Sequence, residues 1–202
     1  MTMLRERREP DASEAEENLR VIRALMERPT KFSTFSGLSG VCAGLASIVG
    51  CIITRALGHD PGTFPIVFLT LWSAVILVAV GVDYLLMKRR AARVGKHVIS
   101  RLGKQMVIAS APGLGAGVAI TLYLLQHHML GTVFPFWILA YGIAVSATGL
   151  FSQREVSLLG AAFLLAGTVA LFAPGFGLTM MALSFGGFHI VYGVAMSRKE
   201  GW

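Results

Sequence analysis

The chain alternates long apolar blocks with short polar segments. Six blocks are long enough, as helices, to cross the roughly 30 Å of hydrocarbon in a bilayer. Inside a bilayer every backbone N–H and C=O needs a partner within the protein, so single spans of this kind are helical. The pattern therefore predicts an all-α, polytopic membrane helix bundle within residues 32–198. Its six spans are residues 35–54, 64–87, 106–125, 133–151, 158–172 and 176–196.

The short separators after the first, third and fifth spans have the composition of turns. They read DPGTFP, MLGTVFP and LFAPGFG. Residues 131–149 also align without gaps with residues 175–193, which is an internal repeat. The six spans are therefore predicted to form three helical hairpins in series.

Composition agrees with a membrane protein. Of the 202 residues, 54% are hydrophobic and 14% charged, and the mean hydropathy is +0.67. A soluble domain with a solvated surface carries more charge than this.

Basic residues are concentrated between the second and third spans. The formal net charge of the whole chain is +7, and residues 88–105 alone contain seven basic residues and no acid. Because basic loops remain on the cytoplasmic side, this loop and both termini are predicted to be cytoplasmic. The protein itself is predicted to lie in the plasma (inner) membrane. Cationic groups next to spans also attract anionic lipid, so nucleic-acid binding is not predicted. The candidate lipid-binding residues are Lys88, Arg89, Arg90, Arg93 and Lys96.

The first 31 residues form a polar tail with one helical segment. Residues 11–28 place Leu19, Ile22 and Leu25 or Met26 on one stripe, with acids in the first turn, and Pro29 ends the pattern. This amphipathic helix is predicted either to lie on the cytoplasmic membrane surface or to bind a cytoplasmic partner.

Glycines recur at helical spacing in the later spans. Small residues on one face allow two membrane helices to approach closely. The glycines predicted to pack in this way are Gly40 and Gly44 in the first span, and the heptad pairs Gly142 and Gly149, Gly160 and Gly167, and Gly186 and Gly193.

One histidine lies within an apolar block. His189 shares a helical stripe with Gly186 and Gly193, so it should face a neighbouring helix. Ionisable groups inside a membrane are costly and need partners. The predicted partners are Asp83, Tyr192 and Tyr141. Two interpretations fit. In the first, these residues form a proton-sensitive latch or part of a solute path. In the second, a neutral histidine bridges two helices by hydrogen bonds, and Asp83 reaches headgroup water or Lys88 instead.

The predicted outer side holds His59, His127 and His128. Together they are candidate metal ligands. Adjacent helical residues point about 100° apart, however, so His127 and His128 alone chelate poorly. No cofactor is predicted.

Residues 158–194, LLGAAFLLAGTVALFAPGFGLTMMALSFGGFHIVYGV, are similar to the repeat of the HdeD-like family of small bacterial acid-resistance membrane proteins. The resemblance implies a glycine-rich hairpin repeated three times to give six spans, and a role in envelope or acid stress.

Catalytic motifs are not recognised: the sequence lacks a nucleophile elbow, HExxH and a phosphate loop. A protein without catalytic activity is therefore expected. The alternative is a small-solute or ion transporter or channel with a glycine-lined path near His189. The sequence leaves open whether copies associate into a homo-oligomer.

Overall fold

The structure is a computed structural model that describes residues 16–20, 37–58, 60–93 and 101–200. The chain divides into two units, Met1–Lys31 and Phe32–Trp202. In the first unit, residues 16–20 are helical and exposed, and the rest of the predicted amphipathic helix lies outside the described residues.

The second unit contains six helices long and apolar enough to cross a membrane. No strand occurs among the residues that the structure describes. These findings confirm the predicted all-α fold with six spans and support an integral, multi-pass membrane protein. The first five helices are α1 (Gly37–Ala56), α2 (Pro65–Arg93), α3 (Arg101–Gln126), α4 (Val133–Gly149) and α5 (Arg154–Phe172).

The sixth helix, α6, has three parts. It begins as the α-helix Gly177–Met181, continues as the π-helix Ala182–Phe188 and ends as the α-helix His189–Glu200. Short 3₁₀ turns, Leu130–Thr132 and Pro174–Phe176, precede α4 and α6. A seven-residue π segment is unusual, because π geometry is rare and occurs mostly as single-turn bulges.

Helices occupy more of the basic segment than the sequence predicts. α2 continues through Arg93 and α3 begins at Arg101, so much of residues 88–105 is helical rather than loop. Alanine, lysine and arginine are good helix formers, which lets a helix continue beyond the apolar part of its span. Lys96 lies outside the described residues. α3 also runs through Pro112 without ending.

Packing links the helices in the order α2–α1–α6–α5–α4–α3. α4 and α5 have the most extensive contact, and α6 packs chiefly on α1 rather than on α5, its predecessor in the chain. The start of α6 also contacts α4.

The apolar core lies toward one end of the bundle. We call this the turn end, because the three hairpin turns lie there, and we call the opposite end, with Lys88 and Lys104, the basic end. Within the core, an edge contact of Phe68 with Phe134 joins the first two hairpins, and the two ring centroids are 5.8 Å apart. The largest fully buried side chains of the core are Leu130, Val133, Ile138 and Phe163.

Matching hydrogen bonds join the two helices within each of the first two hairpins. In the first, the Trp72 indole N–H donates to the Thr54 hydroxyl at 3.2 Å, which itself donates to the Gly50 carbonyl at 2.8 Å. In the second, Trp137 donates to Thr121 at 2.9 Å, and Thr121 donates to the Gly117 carbonyl at 2.8 Å. The two hairpins therefore share a Gly-x-x-x-Thr segment bound to a tryptophan on the next helix.

Candidate functional site

The glycines of α1 and α6 lie against each other. A Cβ atom added at Gly44 would be 2.7 Å from the Gly186 carbonyl oxygen, and one at Gly40 would be 3.2 Å from the Cα of Gly193. One at Gly193 would overlap the Gly37 carbonyl oxygen. The two backbones are therefore in close contact along this face.

The glycines of α4 and α5 form a second interface of the same kind. A Cβ at Gly142 would be 3.0 Å from the Leu164 amide, and one at Gly167 would be 2.9 Å from the Leu139 amide. Nearer the basic end, Gly149 faces Ser157 and Gly160 faces Ser146. All the glycines named from the sequence thus lie against a neighbouring helix.

Between these interfaces, the structure brings Tyr141 of α4 and His189 of α6 together. The Tyr141 hydroxyl is 2.8 Å from His189 Nε2, and His189 Nδ1 is 3.0 Å from the carbonyl oxygen of Phe185. His189 is buried, with 9% of its surface exposed. The imidazole therefore links two helices that are distant in sequence.

The Phe185 carbonyl determines the direction of both hydrogen bonds. A carbonyl oxygen can only accept, so Nδ1 must carry a proton. In the neutral imidazole Nε2 is then an acceptor, and the Tyr141 hydroxyl donates to it. Every ring nitrogen of a neutral His189 is satisfied in this arrangement.

The π segment places the Phe185 carbonyl in reach of the ring. In an α-helix this carbonyl would accept the backbone N–H of residue 189. Here the His189 N–H donates to the Gly186 carbonyl, and the His189 side chain donates to Phe185 instead. The side chain therefore replaces the backbone donor of an ordinary helical turn.

Aromatic rings surround the pair. The His189 ring centroid is 5.4 Å from those of Tyr141 and Phe163 and 6.0 Å from that of Phe185. Phe163, fully buried on α5, also contacts Tyr141 at 4.8 Å. Three helices thus meet around the imidazole.

Asp83 and Tyr192 are the other two residues that the sequence groups with His189. Both are half-buried, and both are close enough to Tyr141 to act on it electrostatically. Of the four residues in the predicted intramembrane polar cluster, Tyr141 and His189 are therefore joined by a direct hydrogen bond.

The histidines at the turn end are placed differently. His59 lies outside the described residues. The His127 ring lies 4.3 Å from that of Tyr123, and His128 is in the left-handed backbone region, with φ of 58°. Within the described residues, no group of three or more His, Cys, Asp or Glu side chains is arranged to hold a metal ion.

At the basic end, Lys88 and Arg89 are exposed on the last turns of α2, with Lys104 exposed on α3. Lys199 of α6 forms an ion pair with Glu155 of α5. Cationic side chains from at least three helices thus lie at this end of the bundle.

Sequence reasoning missed two features of this region. The tryptophan–threonine hydrogen bonds could have been found, because Gly-x-x-x-Thr is followed by a tryptophan in both hairpins. The π segment left no recognisable signal in the spacing of the glycines.

No protein-family model matches the chain, and no curated protein or solved structure matches it.

Proposed function

We propose that the chain is a multi-pass protein of the plasma membrane that acts without catalysis in the response to envelope or acid stress. The observation that carries the proposal is the buried hydrogen bond between Tyr141 and His189. Imidazole is the side chain that ordinarily gains or loses a proton between pH 5 and 8. Here the imidazole of His189 links α4 and α6 inside the bundle, so a change in its charge would alter the contact between these helices.

The resemblance of residues 158–194 to the HdeD-like repeat supports the same role, since it covers most of α5 and α6 and includes His189. The proposed orientation places the basic end and both termini in the cytoplasm, with the exposed cations Lys88 and Arg89 at anionic headgroups. Under this proposal the N-terminal helix binds either the membrane surface or a cytoplasmic partner.

The packing gives less support to transport along a glycine-lined path. Gly40, Gly44, Gly186 and Gly193 are in contact with a neighbouring backbone or side chain rather than with open space. A solute path along these faces would require the helices to separate.

Survival of acid exposure tests the proposal. Cells that lack the gene should form fewer colonies than the parent after acid exposure but not after incubation at neutral pH. Wild-type protein should restore survival, and so should the control variant Leu122→Ala, which changes a side chain exposed on α3, away from His189. Equal survival with and without the gene would refute the stress role. Solute flux in proteoliposomes containing only this protein would favour transport instead.

A further inference from the structure

We propose that His189 and the π segment Ala182–Phe188 form a proton-operated switch that sets the register of α6. The inference deepens the proposed stress function and rests on it only for its use in the cell. It starts from the two hydrogen bonds of the His189 side chain. One is with the Tyr141 hydroxyl on α4, and the other is with the Phe185 carbonyl. In an α-helix that carbonyl would instead accept the backbone N–H of residue 189.

The first step is the effect of a proton on the link between α4 and α6. A proton on Nε2 turns that atom from an acceptor into a donor, so the Tyr141 hydroxyl can only accept from it and the hydroxyl proton loses its acceptor. The new charge also lies among Tyr141, Phe163 and Phe185, which offer rings rather than water. Both changes favour departure of the imidazolium from this position.

The second step concerns the groups that could receive the charge. On α2, Asp83 is an acid within electrostatic range of Tyr141, and on α6 Tyr192 is a phenol within the same range. α5 presents Phe163, which is not titratable. α1 contacts the His189 backbone through Gly40, and its nearest thiol in sequence, Cys42, is half-buried. The imidazolium should therefore move toward Asp83.

The third step links this movement to the backbone. When the ring leaves, the Phe185 carbonyl loses the N–H that it accepts in the π register. A buried carbonyl without a donor is costly. It regains one if the segment converts to an α-helix, in which the amide of residue 189 is its partner.

The fourth step is the consequence for α1. Conversion of the π segment moves the register by one residue, which turns the part His189–Glu200 by about 100° about its axis. Gly193 would then leave the backbone of Gly37, against which it packs. Acid is thus expected to loosen the contact between α1 and α6.

A nitroxide label on Val191 tests the switch. This side chain is 69% exposed and follows the π segment, and a label on Thr179, which is exposed and precedes the segment, is the matched control. Each label is placed separately in a variant with Cys42→Ala and Cys51→Ala. The labelled proteins are studied in nanodiscs of phosphatidylcholine and phosphatidylglycerol. Collision with dissolved oxygen, measured by electron paramagnetic resonance, reports exposure to lipid.

With His189 present, the population with a shielded Val191 label should grow as the pH falls from 7 to 5, by up to about tenfold per pH unit while it is the minor state. The Thr179 label should not change. His189→Gln should abolish the response, and so should deletion of Gly187, which removes one residue from the π segment and leaves an α-helix with no register to shift.

An unchanged Val191 label between pH 7 and 5 in the protein with His189 would overturn the switch, and this comparison needs no further variant to fold. An equal response in His189→Gln or in the Gly187 deletion would overturn it as well. If the Val191 label responds to pH but loss of the gene causes no acid-survival phenotype, the stress role alone is refuted. If loss of the gene lowers acid survival but the label does not respond to pH, the switch alone is refuted.

Discussion

Hydrogen bonds that cross from one helix to another occur at defined residues inside the bundle. Tyr141 is hydrogen-bonded to His189. Trp72 donates to Thr54, and Trp137 donates to Thr121. A polar group without a partner in hydrocarbon is costly, because lipid offers neither donor nor acceptor. Each of these pairs therefore specifies which helices meet and at what level.

The Tyr141–His189 pair gives the first residue-scale prediction. His189→Leu should lower the free energy of unfolding by about 1–3 kcal/mol, because it leaves the Tyr141 hydroxyl without a partner. His189→Gln should cost less, since its amide both donates and accepts hydrogen bonds. Thermal or denaturant unfolding in detergent at pH 7.5 measures both variants. Equal loss in the two would contradict a hydrogen-bonded bridge.

The tryptophan–threonine pairs give the second prediction. Thr121→Val keeps the shape of the side chain but removes the acceptor of the Trp137 N–H, so it should destabilise by about 1 kcal/mol. Thr168→Val is the matched control, because the exposed Thr168 hydroxyl donates only within its own helix, to the Leu164 carbonyl. In the same unfolding measurement, the stability of Thr168→Val should be close to that of wild type. If Thr168→Val lost as much stability as Thr121→Val, the effect would be due to helix propensity.

At this scale the sequence predicts which residues need partners more readily than which partners they find. His189 lies on a glycine stripe, so its contact with a neighbouring helix could be expected. The choice between Tyr141 and Tyr192 could not, because Tyr192 follows three residues later on the same helix and only the rotation of α6 against α4 decides between them. The π segment contributes to that rotation.

Close backbone contact is the main feature at the scale of helices. Gly113 and Gly115 show how local it is. A Cβ at Gly113 would be 2.8 Å from the Ala140 carbonyl oxygen of α4, whereas one at Gly115, on the same helix, would meet nothing within 4 Å.

Alanine substitutions test the contact. Gly113→Ala and Gly193→Ala should each destabilise by about 1–3 kcal/mol, because the added methyl group meets backbone that must shift. Gly115→Ala should be neutral or stabilising by up to about 1 kcal/mol, since alanine favours a helix over glycine. Unfolding midpoints at one detergent concentration compare the three. Destabilisation by Gly115→Ala would show that the loss does not report packing.

The heptad spacing of Gly142 and Gly149 or of Gly186 and Gly193 is enough to predict a small-residue face, but it contains no information on the helix that covers it. α4 packs on α5, the next helix, whereas α6 packs on α1. The partner is decided by which other helix also offers a face of small residues at matching depth, here Gly37, Gly40 and Gly44. That matching is a property of the assembled bundle.

For the whole molecule, the position of charge predicts orientation. A reporter fused after Ser100 should read cytoplasmic, and one fused after His128 should read external, because the basic residues on both sides of residues 94–100 resist translocation. Activity of an alkaline phosphatase and fluorescence of a green fluorescent protein at each position measure this. The same side for both fusions would contradict the alternation of the six spans.

The contact between α1 and α6 has a consequence for biogenesis. Four spans are synthesised between them, so α1 enters the bilayer long before the helix that covers its glycine face exists. Until then Gly37, Gly40 and Gly44 face lipid or the insertion machinery, and the early hairpins are held by Trp72 and Trp137. A chain truncated after Phe172 should therefore insert but be degraded rapidly, and α6 supplied as a separate segment should extend its lifetime in a pulse-chase experiment.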